Sequence, residues 1–312
     1  MSDMLSTTFC NVQFPNPLIL PSGIAQEIPN DHLRAVEAGA GGITTKSLTV
    51  EPREGNPLPR LISTELGFLN SVGLRGPGIK KGVLALEECI KLSSVPVIVS
   101  IFATSIKDFE LLASAIVPIQ PQIIELNLSC PNVKGDMGKP LGTGVSSVEQ
   151  TVCAVKKLTG KIPLLAKLSQ NVADIGELAK AGEAAGADGI VAINTIPAMA
   201  INITTRRPIL GAKRGGLSGP PIKPAAVFAV YEIYQSVKIP IIGVGGVTTW
   251  QDVVEMLLAG ATLVGIGSAT YKHGMRIYRS LQEELEAYLK KENIHHISEL
   301  TGKAHHDVPK QT

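Results

Sequence analysis

Asn127, Cys130 and Asn132 fall within a span of six residues. A thiolate can take a proton from a carbon next to a carbonyl, and cysteine, whose ordinary pKa is about 8.5, needs only modest tuning to act as such a base near neutral pH. An asparagine amide offers a donor and an acceptor together, which suits a ring of alternating C=O and N–H groups. Two lysines, Lys46 and Lys167, close apolar runs, where an unpaired ammonium is costly. Each calls for an anionic partner. A neighbouring acid would serve either; a substrate carboxylate would suit Lys46, and a cofactor ring that turns negative on accepting hydride would suit both, Lys167 above all. Two glycine-rich turns, GVGGVTT at 243–249 and GIGSAT at 265–270, can hold a phosphate on bare backbone N–H groups. Close packing of a helix on a strand is the other reading of those glycines.

These groups need a frame that brings them together. Short apolar, β-branched runs at 18–25, 42–48, 95–103, 123–130, 163–169, 189–195, 240–247 and 263–269 predict strands buried on both faces, as in a parallel sheet. Helical patterns follow each, at about 30–39, 78–92, 105–117, 146–159, 172–186, 221–237, 249–260 and 274–291. Thr249 with Asp252 three residues on resembles a capping box, Val172, Ile175 and Leu178 share a helical face, and Gly186 sits where the fifth helix should end. Eight strand–helix pairs predict an α/β fold, a (β/α)8 barrel formed by one domain over residues 1–312, with an open doubly wound sheet as the competitor. The N-terminal TTFCNVQFPNPLIL reads as a hairpin that plugs the barrel's bottom. Insertions at 49–77 and 196–220 follow strands, so they belong at the C-terminal rim, where inserted loops build pockets. In a barrel, the polar strand ends Lys46-Ser47, Asn127 to Cys130, Lys167, Asn194-Thr195, Gly245-Gly246 and Gly267-Ser268 all converge on that rim.

The bulk composition narrows the classes. At 312 residues and 44% apolar, the chain can bury a large core without disulfides or metals. A formal net charge of +2 with interleaved signs gives no footprint for nucleic acid or an anionic membrane, and Arg206-Arg207 reads as a solvated loop. Cys10, Cys89, Cys130 and Cys153 form no CxxC pair, which argues against a metal site or iron–sulfur cluster within the chain. Cys10, Cys89 and Cys153 read as small buried hydrophobes. There is no G-x-G-x-x-G, no apolar run of membrane-spanning length and no targeting pattern at MSDMLSTTFC, so a cytoplasmic protein is expected. The stretch VKGDMGKPLGTG, residues 133–144, carries four glycines and reads as a lid.

The stretches KSLTVEPREGNPLPR, NSVGLRGPG, ELNLSCPNV, AKLSQNV, INT, GGLSGPPIKP, GVGGV and GIGS resemble the class 1 dihydroorotate dehydrogenases, from about residue 18 to 270. The resemblance implies FMN bound across the rim by Ser22, Lys46, Ser47, Asn127, Lys167, Ile193, Gly219, Gly245, Gly246, Gly267 and Ser268. It implies a pyrimidine held by Lys46, Asn70, Ser71, Val72, Gly73, Leu74, Asn127, Asn132, Asn194 and Thr195. Cys130 would remove the C5 proton of dihydroorotate while hydride passes from C6 to the flavin. One position departs from the pattern: Ser100 stands where many relatives have asparagine, which puts the flavin contact there in doubt.

The segments GNPLPR, TRRPILGAKRGGLSGPPIKP and EMLLAGATLV resemble the NAD-linked, type 1B branch. That implies a partner subunit carrying FAD and a [2Fe–2S] cluster, in a homodimer or heterotetramer. The fumarate-linked branch, a dihydropyrimidine dehydrogenase and a non-catalytic phosphate-binding barrel are the alternatives.

Overall fold

The computed structural model describes residues 3–129 and 141–306. The chain opens with an antiparallel hairpin, β1 (Thr7–Phe9) and β2 (Val12–Phe14), and then enters the first barrel strands β3 (Leu18–Leu20) and β4 (Gly42–Thr44). The first insertion contributes β5 (Leu61–Ser63) and β6 (Phe68–Asn70). Four barrel strands follow: β7 (Val97–Ile101), β8 (Ile123–Asn127), β9 (Leu164–Lys167) and β10 (Gly189–Ala192). The second insertion holds β11 (Ile196–Ala198), β12 (Ile201–Asn202), β13 (Arg207–Pro208) and β14 (Gly215–Ser218). The last barrel strands are β15 (Ile241–Val244) and β16 (Leu263–Gly265).

The eight barrel strands pair in parallel into a closed ring, β3 beside β16, so the open sheet is excluded. Helices α1 (Asn30–Glu37), α2 (Gly78–Leu92), α3 (Ile106–Ile116), α4 (Val145–Thr159), α5 (Ile175–Ala184), α6 (Lys223–Ser236) and α7 (Trp250–Leu258) alternate with them. After β16 the expected single helix is split into α8 (Ala269–His273) and α9 (Ile277–Lys291) by Gly274, whose φ is 70°. The capping box at Thr249 and Asp252 is present. α5 starts later than expected because the Asp174 side chain accepts the Glu177 amide at 3.1 Å, which leaves Val172 outside the helix. Gly186, with φ 99°, follows its end. Strands also stop several residues short of the apolar runs. The run continues past the ladder because residues at the rim stay buried as they turn.

Two packed layers fill the barrel. The lower is apolar: Ile19, Ile98, Ile123, Leu165, Val191, Ile242 and Leu263 meet Phe9 and Phe14 of the hairpin. The two rings lie edge to face, 6.3 Å apart, and the barrel makes room for them with glycine. A Cβ on Gly42 would come within 2.6 Å of Phe14, and one on Gly189 within 2.9 Å of Phe9. The hairpin therefore plugs the bottom, as the pattern predicts. Two residues further along the strands, the same inward face carries Ser100, Glu125 and Lys167, each at most 5% exposed.

The two insertions share one four-stranded antiparallel sheet, β11-β14-β6-β5. Arg206 and Arg207 are exposed. Cys89 is buried, and burial with the nearby Glu88 charge pushes its thiol up to about 11. Burial and the Asp188 charge push half-buried Cys10 up to about 12. Cys153 corrects the expectation: it is exposed, because α4 buries Val148, Thr151, Val152, Val155 and Thr159 and turns residue 153 outward. Among the described residues, no helix is long and apolar enough to cross a membrane, and no group of three or more His, Cys, Asp or Glu could hold a metal ion.

His32 of α1 is fully buried. Its Nδ1 lies 3.2 Å from the Glu27 carbonyl, so Nδ1 carries the proton, and Nε2 has no hydrogen-bond partner. Burial, together with the charge of Lys46, holds its pKa down at about 4 against the opposing pull of the Glu27 carbonyl and Asp31.

Phe14→Ala should lower the free energy of unfolding by about 3–5 kcal/mol, read from urea titrations, because the emptied base cannot collapse. His32 gives a pH dependence. The unfolded chain takes up the proton near pH 6.5 while the folded one refuses it to about 4. Stability should therefore fall as pH drops through that window, by up to about 1.4 kcal/mol per pH unit. His32→Leu should flatten this slope, and identical slopes in both proteins would place the effect elsewhere.

Candidate active site

The residues expected to hold the cofactor can be followed from their strands. Ser22 follows β3, Lys46 and Ser47 follow β4, Asn127 and Lys167 end β8 and β9, and Ile193 follows β10. Gly245 and Gly246 follow β15, and Gly267 and Ser268 follow β16. One cavity at the rim is lined by Ser22, Lys167, Ile193, Asn194, Thr195, Gly219, Gly245, Gly246, Gly267 and Ser268, with Pro21, Ile24, Ser218, Ile222, Val244, Val247 and Gly265 filling its walls. Ten expected residues from six stretches of chain thus share one space. Lys46, Ser47 and Asn127 do not line it. They are buried, at 8%, 4% and 7% exposure; Ser47 lies within hydrogen-bond distance of Ser22 in its wall, and Asn127 donates to Ser47.

The glycines are required for different reasons. Gly245 and Gly246 have φ of 141° and 76°, and a Cβ on them would press within 2.7 Å of Ala226 and of the Lys223 amide nitrogen. Packing against the start of α6 alone explains them. Gly267 has no such demand: a Cβ there would sit at an ordinary 3.4 Å from Ile24 and Pro21, so its missing side chain leaves room in the cavity. The turn after β15 is pinned by Asp252, whose Oδ2 accepts from the amides of Thr248 and Thr249 at 2.8 and 2.9 Å. Burial pushes that carboxyl up, but Lys223 at 2.7 Å and these amides outweigh it and hold it below the usual range.

The segment Asn70 to Leu74, expected to hold a pyrimidine, does not line the cavity. It is attached through β14. Asn70 pairs with Gly216 and donates to its carbonyl at 3.3 Å, while a Cβ on Gly216 would collide with Thr195. Asn56, which the sequence reading passed over, shapes this segment. Its side chain donates to the Ser71 hydroxyl at 2.8 Å, its amide to the Val72 carbonyl at 3.0 Å, and Gly73 has no room for a Cβ beside it. Leu74 holds φ of 57°. Cys130 and Asn132 lie outside the described residues, as does most of the glycine-rich stretch after them. Ser129, the last described residue before them, is tied by its carbonyl to the Asn194 side chain at 3.2 Å.

A second group missed in the sequence lies directly beneath. Glu125, 2% exposed, accepts from the Ser100 hydroxyl at 2.8 Å and stands 3.9 Å from the Lys167 ammonium. Ser100 in turn contacts Ser47 at 2.9 Å, Ser47 receives Asn127 Nδ2 at 3.0 Å, and Ser22 stands 3.3 Å from Ser47. The departure at Ser100 is thereby explained: its short side chain serves Glu125 and Ser47. The inward parity of Glu125 with Asn127 was the available signal. Lys167 has its neighbouring acid and still faces the cavity. A site of this kind, with a cation over a buried polar layer and glycine turns in its wall, suits a phosphate-bearing ring cofactor.

The chain matches the family described as "Dihydroorotate dehydrogenase" over residues 4–289. A protein of Thermococcus kodakarensis named dihydroorotate dehydrogenase B (NAD(+)), catalytic subunit, is 44% identical over 300 residues, covering 96% of this chain and 98% of its own length. A Pyrococcus abyssi protein of the same name is 45% identical over 302 residues, covering 96% and 99%. One from Methanosarcina mazei, also so named, is 40% identical over 305 residues, covering 97% and 96%. With a match across nearly the whole chain, the chain belongs to the dihydroorotate dehydrogenase family.

Proposed function

We propose that this chain is the FMN-dependent catalytic subunit of an NAD-linked dihydroorotate dehydrogenase, oxidising dihydroorotate to orotate for pyrimidine biosynthesis and working as a single domain in the cytoplasm. The observation that carries the reading is the gathering of ten expected residues on one rim cavity of a chain that belongs to this family. Dihydroorotate loses a proton from C5 and a hydride from C6, and the C5–C6 bond becomes double. Cys130 takes the C5 proton as its thiolate. FMN, when bound, supplies the acceptor for the C6 hydride. Lys46 pairs with the carboxylate of the pyrimidine or with the flavin, and Asn70, Asn127, Asn132 and Asn194 meet the C=O and N–H groups of the ring. Ser71, Val72, Gly73, Leu74 and Thr195 close around it. Lys167 holds positive charge where negative charge collects on reduction. Ser22, Ser47, Ile193 and Gly219 seat the cofactor, with Gly245, Gly246, Gly267 and Ser268 at its phosphate. The relatives are named as catalytic subunits of NAD(+) enzymes, which supports a separate partner. We assign it FAD and a [2Fe–2S] cluster, as the resemblance to the NAD-linked branch implies; the lack of cluster-spaced cysteines and of a dinucleotide fingerprint in this chain agrees.

The purified chain should be yellow, release FMN on denaturation, and bleach on addition of dihydroorotate without oxygen. Cys130→Ala should slow that bleaching by about 10²–10⁴-fold with FMN content unchanged; bleaching at the wild-type rate would remove Cys130 from the role of base. Alone, the chain should turn over with a dye acceptor and fail with NAD. Co-expression with the partner should restore NAD reduction, and efficient NAD reduction by the isolated chain would overturn the assignment of a partner.

A further inference from the structure

We propose that Glu125 is a positioning residue: its buried carboxylate sets the sense of the Ser100 and Ser47 hydroxyl hydrogens, so that Ser47 meets Asn127 as an acceptor, and it balances the charge of Lys167. The inference rests on the flavin reading above and extends it to a residue that touches neither the cavity nor the expected ligands.

The sense follows from counting donors. A carboxylate accepts only, so the single hydroxyl hydrogen of Ser100 goes to Glu125 at 2.8 Å. Ser100 must then accept from Ser47, 2.9 Å away. Ser47 has thereby used its own hydrogen, and it accepts from Asn127 Nδ2 at 3.0 Å. With its amino group committed there, Asn127 turns Oδ1 toward Ser129, which donates its hydroxyl at 3.1 Å. The Ser129 hydroxyl accepts from Asn194 Nδ2 at 2.9 Å, and Asn194 Oδ1 takes the Thr195 amide at 2.7 Å. Of these six links, the carboxylate fixes the hydrogens of Ser100 and Ser47, while the Ser129 and Thr195 amides, donating to Asn127 Oδ1 and Asn194 Oδ1, fix the far end in the same sense. The amide face of Asn127 is thereby held from two sides, by the Ser129 amide that donates to its Oδ1 at 3.3 Å and by the Ser47 hydroxyl that Glu125 turns into an acceptor for its Nδ2, and in a low-dielectric interior such chains are polarised cooperatively.

The other half concerns charge. Glu125 and Lys167 are 2% and 5% exposed, so each would be costly to bury alone. At 3.9 Å the pair is close enough to balance and too long to be a hydrogen bond. Among the described residues no hydrogen bond takes the ammonium donors of Lys167, which lines the cavity. A bound flavin consequently meets a cation already partly neutralised from beneath, and Glu125 sets how strongly Lys167 favours the reduced, negatively charged ring.

Two variants of the FMN-loaded protein separate these roles. Glu125→Gln keeps the volume and removes the charge. It should bind the reduced cofactor at least tenfold more tightly relative to the oxidised, a rise of about 30 mV in the two-electron potential, and should raise the affinity of the flavin for sulfite about tenfold. A merely structural acid would weaken FMN binding without moving the potential. Ser100→Ala keeps the charge and cuts the chain; it should leave the potential within a few millivolts and weaken orotate binding about tenfold. A Glu125→Gln potential equal to wild type overturns the charge role, and unchanged orotate affinity in Ser100→Ala overturns the orienting role. A wild-type protein with no flavin and no affinity for FMN would instead overturn the function reading, and this inference with it.

Discussion

Closure of the barrel between its last strand and its first is the constraint on which the site depends. The Val264 amide donates to Pro17 at 2.8 Å and the Ile266 amide to Ile19 at 2.9 Å. Because all eight strands run parallel, closing the ring places all their C-terminal ends on one side. Ser22 and Ser268, from nearly opposite ends of the chain, thereby share a cavity wall. Without those bonds, the strand ends would still carry the same residues and the cavity would have no wall between the first and last strands. The hairpin acts on the same constraint from below. Phe9 and Phe14 fill the space that the short strands leave, and the glycines at 42 and 189 yield to them.

Above this apolar plug, the barrel does something expensive. Ser100, Glu125 and Lys167 occupy inward positions with almost no access to water, where polar groups are tolerated only when partnered. The layer is tolerable because its groups satisfy one another across neighbouring strands. The registers Ser100↔Glu125 and Asn127↔Lys167 make those meetings unavoidable once the strands pair. A one-residue slip would turn these side chains outward. The apolar layer beneath therefore fixes the register that the polar layer needs.

Much of this was legible in the sequence, for identifiable reasons. Continuous β-branched runs followed by helical stripes define the alternation, and the Thr249–Asp252 spacing marks a helix start, because both depend on contacts a few residues apart. The clustering of Lys167, Asn194 and the glycine turns was also legible, since it follows from barrel closure alone. What escaped depends on partners distant along the chain. Glu125 is hidden inside the strand ILE-type run as a single acid whose partners come from β7 and β9. The pairing of β6 with β14 joins two insertions that carry no mutual signal, and with it went the role of Asn56. Cys153 was misjudged because cysteine is usually buried, whereas its helix stripe places it outside.

The two ends of the cavity obey one rule. Beneath Lys167, Glu125 holds a serine hydroxyl and faces the ammonium. At the glycine end, Asp252 holds the amides of Thr248 and Thr249 and binds Lys223, while the same carboxylate completes the cap of α7. In each case an acid that does not line the cavity immobilises groups behind its lining residues, and a lysine offsets the acid's charge. The division of labour has a physical basis. Acids placed in the cavity would repel an anionic ligand, but acids set behind it can fix the neighbouring chain at no such cost. Rigidity supplied from behind is also what preorganised donors require, because they then need not be reordered when charge develops.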